Sequence, residues 1–246
     1  MKRLQFLTLL AFLSLGLACE KESLPALEAV NDVCTKIPDE NLRALCYEAY
    51  DANLDGRVSM NEASAVTAIS NYYRPRNSSS AIPHDFYSFE GIEYFTGLRE
   101  IGIYFSKVET IDVSAAPPLS RMEVNQCHQL KKIVFPERVN KDFHLVYHYV
   151  SLEELSLPEG MTKLANSSIL SSELKKLCLP STLETIEDYA IEGIGWEYEL
   201  TVLAKTPPSV GEHFPKPSHL YVPAESVEAY KKAWSRFADV ISAIEE

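Results

Sequence analysis

Residues 51 to 62 read DANLDGRVSMNE, and their spacing fits the chemistry of a hard cation. Calcium takes six to eight oxygens, and a twelve-residue loop can supply them in a fixed order. Asp51, Asn53 and Asp55 offer side-chain oxygens from one rim. Gly56 permits the sharp turn, and Arg57 contributes its backbone carbonyl. Ser59 is placed to bind directly or through water, and Glu62 closes the set with both carboxylate oxygens. Calcium is therefore the expected cofactor, at Asp51, Asn53, Asp55, Arg57, Ser59 and Glu62. No second copy of the loop occurs in the chain.

Such a loop must be held by helices. Asp39 after Pro38 is a good N-cap, and Leu42, Leu45, Cys46 and Ala49 recur at helical spacing over 39–50. A second helix is expected from Met60 to Ser70, with Ala63, Val66, Thr67 and Ile69 available to pack. Helix, twelve-residue loop and helix resemble an EF-hand. The unit also resembles half of a dockerin, although dockerins carry two loops and commonly end them with Asp. A lone loop leaves Val58 without the partner strand that a second hand supplies. It is expected to lean on the rest of the chain near Phe89 to Phe95, which favours a structural ion over a sensor.

Other chemistry is poorly provided for. His144 and His148 lie in FHLVYHYV, which alternates like a strand and lacks the glutamate of a zinc protease motif. Cys127 and His128 adjoin, so their side chains point to opposite faces. No glycine-rich phosphate loop is present, and the nine glycines are scattered singly. The chain reads as non-enzymatic.

The first residues, MKRLQFLTLLAFLSLGLAC, have a basic start and a short apolar run. A membrane span takes about 20 apolar residues, so the run fits a secretory signal over 1–18. The segment resembles a bacterial lipoprotein signal, which implies lipid on Cys19 and an exported, lipid-anchored protein at the outer membrane or cell surface. Removing residues 1–18 takes away Lys2 and Arg3 and no acid, so the formal charge moves from −12 to −14. So acidic a chain is ill suited to nucleic acid, which demands a basic stripe. Export permits disulfides. Cys34 and Cys46 could bridge a helical hairpin or stay two buried thiols.

Beyond residue 70 the pattern changes. Residues 71–88 are rich in Asn, Ser, Pro, Arg and Tyr, and 76–88 read as a linker. A phrase of an aliphatic residue, two polar ones, an aliphatic, one more and an aliphatic then recurs: LREIGI at 98, LSRMEV at 119, LKKIVF at 130, LEELSL at 152 and LKKLCL at 174, with a looser LTVLA at 200. The first leucines are 21, 11, 22, 22 and 26 residues apart, which reads as a period near 22 with one turn shortened. Such a period means a solenoid, because single repeats cannot bury their own apolar face. Pro136, Pro158 and Pro180 end the strands.

The LxxLxLP phrase at this period resembles the BspA-like leucine-rich repeats. The stretches DANLDGRVSMNEASAVTAIS with FEGIEYFTGLREI, LTVLAKTPPSV, and HLYVPAESVEAYKKAWSRFADVISAI are similar to the two ends of that family's surface proteins in Gram-negative gut and oral anaerobes. The resemblance implies an α+β fold: a parallel-sheet leucine-rich-repeat solenoid over 89–223, preceded by a helical EF-hand-like module over 19–75 and closed by a capping helix and strand over 224–246. It implies an adhesin-like protein that binds a protein or glycan ligand at the cell surface. The other functional reading is a dockerin-like assembly component, docking a partner protein through the helical module in a calcium-dependent way.

Parallel stacking would place equivalent strand positions about 4.8 Å apart. Lys131, Glu153 and Lys175 would form one column, and Lys132, Glu154 and Lys176 the next, with charges alternating along both. Two readings of this face stand: a solvated, salt-laced surface or a polar ligand surface. It holds few aromatics, so no stacking platform for sugars is visible there. Val227, Tyr230, Trp234 and Phe237 share one face of the terminal helix, with Trp234 read as core.

Overall fold

The structure is a computed structural model that describes residues 31–73, 82–83, 85–171, 173–195 and 197–245. The signal segment 1–18 and Cys19 lie outside the described residues, as does part of the 76–88 linker.

Helix α1 (Glu40–Ala49) starts where Asp39 accepts from the Asn41 and Leu42 backbone N–H groups, and it buries Leu42, Leu45 and Cys46. Helix α2 (Met60–Ala65) opens on a reciprocal box between Ser59 and Glu62. It is shorter than the sequence leads one to expect. The chain turns extended at Val66 and forms strand β1 (Ala68–Ser70). Val66, Thr67 and Ile69 are β-branched and favour a strand once one is available to pair with. β1 then runs on into a short antiparallel hairpin, β2 (Tyr72–Tyr73) with β3 (Ile82–Pro83).

Every described strand after the hairpin pairs in parallel, and the chain visits its sheets in rotation. The first sheet has the order β1, β4 (Glu100–Tyr104), β6 (Arg121–Asn125), β8 (His144–His148), β11 (Ile169–Leu170) and β14 (Ile191–Glu192). On a second side lie the pair β5 (Thr110–Asp112) with β7 (Lys132–Val134). Beside them run β9 (Glu154–Ser156), β12 (Lys176–Leu179), β15 (Glu199–Val202), β17 (His219–Val222) and β18 (Ile241–Ala243). A third sheet joins β10 (Lys163–Leu164), β13 (Thr185–Ile186) and β16 (Ser209–Val210). The fold is thus mixed helix and strand with several parallel sheets, in agreement with the α+β expectation.

Register puts like on like. Val124, Tyr147, Ile169 and Ile191 form one buried column of the first sheet. Leu155, Leu177, Leu200, Leu220 and Ile241 form another in the second. Each such side chain contributes about 1.5–3 kcal/mol by leaving water, and the neighbour above and below supplies the surface it packs on. Side-chain hydrogen bonds follow the same spacing: Lys131 to Glu109, Lys175 to Glu153 and Ser181 to Glu159 all join residues 22 apart.

The leucine phrase does not stay in one sheet. LREIGI and LSRMEV lie on β4 and β6 of the first sheet, while on the second side LKKIVF lies on β7, paired with β5, and LEELSL and LKKLCL lie on β9 and β12 of the five-stranded sheet. The spacing of 11 therefore marks a change of side and not a shortened turn. The phrase that precedes LKKIVF on its own side is Val108, Ile111 and Val113, on and around β5, which pairs with β7. All three side chains are buried.

Two regions meet at Gly97, where a side-chain β-carbon would lie 2.1 Å from the Ser64 carbonyl oxygen at the end of α2. At the other end, helix α3 (Val227–Ala233) and the 3-10 turn after it bury Tyr230, Trp234 and Phe237, with Val227 half-buried. Trp234 Nε1 donates to the Pro208 carbonyl at 2.9 Å, and the Tyr230 hydroxyl to that of Ala204 at 2.7 Å. Trp234 is core, as its spacing indicates.

Candidate functional site

The acidic loop joins α1 to α2, and its carboxylates turn onto its own backbone. Asp51 accepts from Asp55 N at 3.2 Å and from Gly56 N at 2.8 Å. Asn53 Oδ1 accepts from Asp55 N at 2.8 Å, and Asp55 Oδ1 from Arg57 N at 2.9 Å. Glu62 reaches back across the loop. One oxygen takes Ala52 N at 2.9 Å and Asn53 N at 3.2 Å, and the other takes both the N–H and the hydroxyl of Ser59. The bonds from Ser59 hold the Glu62 carboxyl below its ordinary 4.5. Asp51, Asn53, Asp55, Arg57, Ser59 and Glu62 are thus brought into one hydrogen-bonded network. Among the described residues no group of three His, Cys, Asp or Glu side chains is arranged to hold a metal ion. The loop's donor set also draws on an amide, a hydroxyl and a backbone carbonyl.

Val58 is fully buried and has a backbone partner within the chain: its carbonyl accepts from Val33 N at 2.9 Å. That partner precedes α1 and does not come from the Phe89 to Phe95 stretch. Asp32, which the sequence reading passed over, organises the contact. Its Oδ1 accepts from Cys34 N at 3.1 Å and Val58 N at 3.2 Å, and its Oδ2 from the Tyr47 hydroxyl at 2.8 Å. Asp39 works similarly. Besides capping α1 it accepts from Tyr87 N at 2.6 Å and Ser88 N at 3.0 Å. An acid among turn residues was the available signal for Asp32, but its partners lie 15 and 26 residues away. Cys34 and Cys46 are free, buried thiols, and the side-chain hydrogen bond that the Cys46 thiol gives to Cys34, with burial, raises it above its usual range.

The charged face on the second side is only partly the ladder expected. Lys175 meets Glu153 at 2.8 Å and Lys176 meets Glu154 at 2.9 Å. Glu154, Lys176 and Glu199 are register partners, and the Glu154 carboxylate raises the Lys176 amine. Lys131 pairs instead with Glu109, also at 2.8 Å. The pair β5–β7 is not laddered to β9, so the columns through Lys131 and Lys132 break before Glu153 and Glu154. All six residues stand in solvent, where such pairs contribute about 0–1 kcal/mol.

The histidines fall as the strand reading implies. His144 and His148 are half-buried on one face of β8, which alternates with buried Leu145 and Tyr147. Burial and the nearby Arg121 lower the His144 imidazole. Cys127 is buried while His128 is exposed. Among the described residues no helix is long and apolar enough to cross a membrane. No protein-family model matches the chain, and no curated protein matches it.

Proposed function

We propose that the chain is a non-catalytic binding scaffold of the BspA-like leucine-rich-repeat kind, exported and lipid-anchored at Cys19, with a structural calcium in its N-terminal loop. The observation that carries this reading is the register. Residues 22 apart share side-chain hydrogen bonds beside parallel strands whose leucines stack in register, as the turns of a solenoid do. A solenoid presents long, regular outer faces, and proteins of this architecture use them to bind.

The acidic loop suits a hard cation by the chemistry of its donors. Asp51, Asn53, Asp55, Ser59 and Glu62 would contribute side-chain oxygens and Arg57 its carbonyl. Calcium, when bound, would neutralise three carboxylates gathered in one turn. The pairing of Val58 with Val33 supports a structural role, because the loop needs no second hand. It also speaks against the dockerin-like alternative.

A glycan and protein array probed with the chain from residue 19, in calcium and again in chelator, tests the scaffold reading; binding to nothing in either condition sinks it. Titration calorimetry is expected to show calcium uptake at roughly 0.1–1 mM, as in extracellular modules, abolished by Asp51→Ala. Palmitate labelling that persists in Cys19→Ser would remove the anchor.

A further inference from the structure

The first sheet differs from the charged face. Its strands β4, β6 and β8 end in Tyr104, Asn125 and His148, which are neighbours in register. The next residue in each case, Phe105, Gln126 and Tyr149, sits in the left-handed region at φ of 53°, 54° and 54°. Each is tied in by its N–H, to Asn125, His148 and Leu170 respectively, so the conformation is fixed by the ladder. A bulky side chain there is strained by roughly 1–2 kcal/mol. At the matching position after β14 the chain uses Gly193, at φ 68°, which meets the same turn without that strain.

Two of the strained residues hold large rings in water. Phe105 and Tyr149 are each 56% exposed, and Tyr72, 50% exposed, lies with its ring 6.3 Å from that of Phe105. Phe105 and Tyr149 are two strands apart, so roughly 10 Å of sheet separates them. Asn125 and Gln126 of the strand between complete the edge, with His148 just before Tyr149. The His148 Nε2 hydrogen is committed to the Ser167 carbonyl at 2.7 Å, which leaves Nδ1 as an acceptor. A cleft of about 420 Å³ opens beside Tyr149, bounded by His128, Ser151 and Gly193. Strain kept at successive turns to expose rings points to a task outside the fold.

We propose that this edge, with Tyr72, Phe105 and Tyr149 flanking Asn125, Gln126 and His148, is a binding site for a neutral carbohydrate chain. Planar rings stack on the C–H faces of sugars, and amide and imidazole groups exchange hydrogen bonds with hydroxyls. A separation of two strands is close to the length of two linked hexoses. Charge complementarity fixes the neutral class. Of the formal charges on β4, β6 and β8, Arg121 and Glu123 pair at 3.0 Å and Glu100 adds one exposed negative charge. The six named residues carry no Asp, Glu, Lys or Arg, the cleft beside Tyr149 adds Glu173, and the chain's net charge of −12 repels anions. The proposal rests on the scaffold reading and names its ligand and face.

Native gel electrophoresis through embedded hydroxyethyl cellulose, galactomannan, xylan or dextran tests it, with pectate as the anionic comparison. Retardation by at least one neutral polymer is expected. Phe105→Asn and Tyr149→Asn are each expected to weaken it tenfold or more while the melting temperature stays level or rises, because asparagine tolerates the left-handed region. Leu203→Ser, on the second side, should leave retardation unchanged. Retardation by pectate alone, retardation that survives both asparagine variants, or a melting temperature that falls in them overturns the proposal. Free migration in every neutral polymer does so too. Should the array then yield a protein ligand, the scaffold reading stands without this site; should it yield none, both fail.

Discussion

The N-terminal module and the parallel sheets are held together by different means. Among the described residues three buried carboxylates, Asp32, Asp39 and Asp51, lie within the first and none in the second, where the buried polar side chains are serines and, beside β1, Asn71. In the module each carboxylate serves two or more backbone or hydroxyl donors, several of them distant in sequence. In the sheets, apolar columns do the work and charge is confined to the surface. Directional bonds from few residues specify one irregular shape. Stacked columns specify a direction of growth and spread the stability over many equivalent positions.

The contrast can be broken from either side. Leu177→Ala, in the middle of a buried column, should destabilise by about 2–5 kcal/mol. Hydrogen exchange should show β9, β12 and β15 losing protection while α1 keeps it; equal loss in α1 would mean the two regions are one cooperative unit. Gly97→Ala attacks the seam. Its β-carbon meets a carbonyl at 2.1 Å and backbone must shift, for about 3 kcal/mol or somewhat less. Here protection should fall in α2 and β4 together. Asp39→Ala leaves the Tyr87 and Ser88 N–H groups without their acceptor and removes a cap, so about 2 kcal/mol is expected in chemical denaturation.

Smaller effects sharpen the same division. Glu62→Gln should lower stability by about 1 kcal/mol at neutral pH. Because folding lowers the Glu62 carboxyl below 4.5, its contribution is complete above that value and is lost as pH falls through the lowered one. The gap between wild type and variant should therefore close in acid; a gap that persists would assign Glu62 a role other than its charge. Glu153→Gln, on the exposed ladder, should change the melting free energy by no more than about 0.5 kcal/mol.

Much of this was legible in the residues. The phrases at 98, 119, 130, 152, 174 and 200 each fall on or against a strand, and Asp39 caps the helix its position indicates. The sheet assignment was not legible, because both sides use the same aliphatic spacing and only a gap of 11 betrays the switch. Strands as short as β11 and β14, two residues each, carry too little pattern to find. Ile69 shows another limit: α2 gives way to β1 because β4 is there to pair with, which local propensity cannot report. The acidic loop was read from residue types at fixed spacing, and those residues are gathered in one hydrogen-bonded loop, whereas Asp32 stayed hidden because two of its partners are long-range. Left-handed Phe105 and Tyr149 were hidden too, since neither residue type announces that conformation.

Sign alternation on the outer strands has a bearing on how such a chain can change length. Glu154, Lys176 and Glu199 alternate in one register column, so loss of the stretch that carries Lys176 would set two glutamates side by side while the leucine column beside them stays continuous. Changes of length in such a chain are thus expected to be filtered at the surface, pair by pair at up to about 1 kcal/mol each, and not in the core.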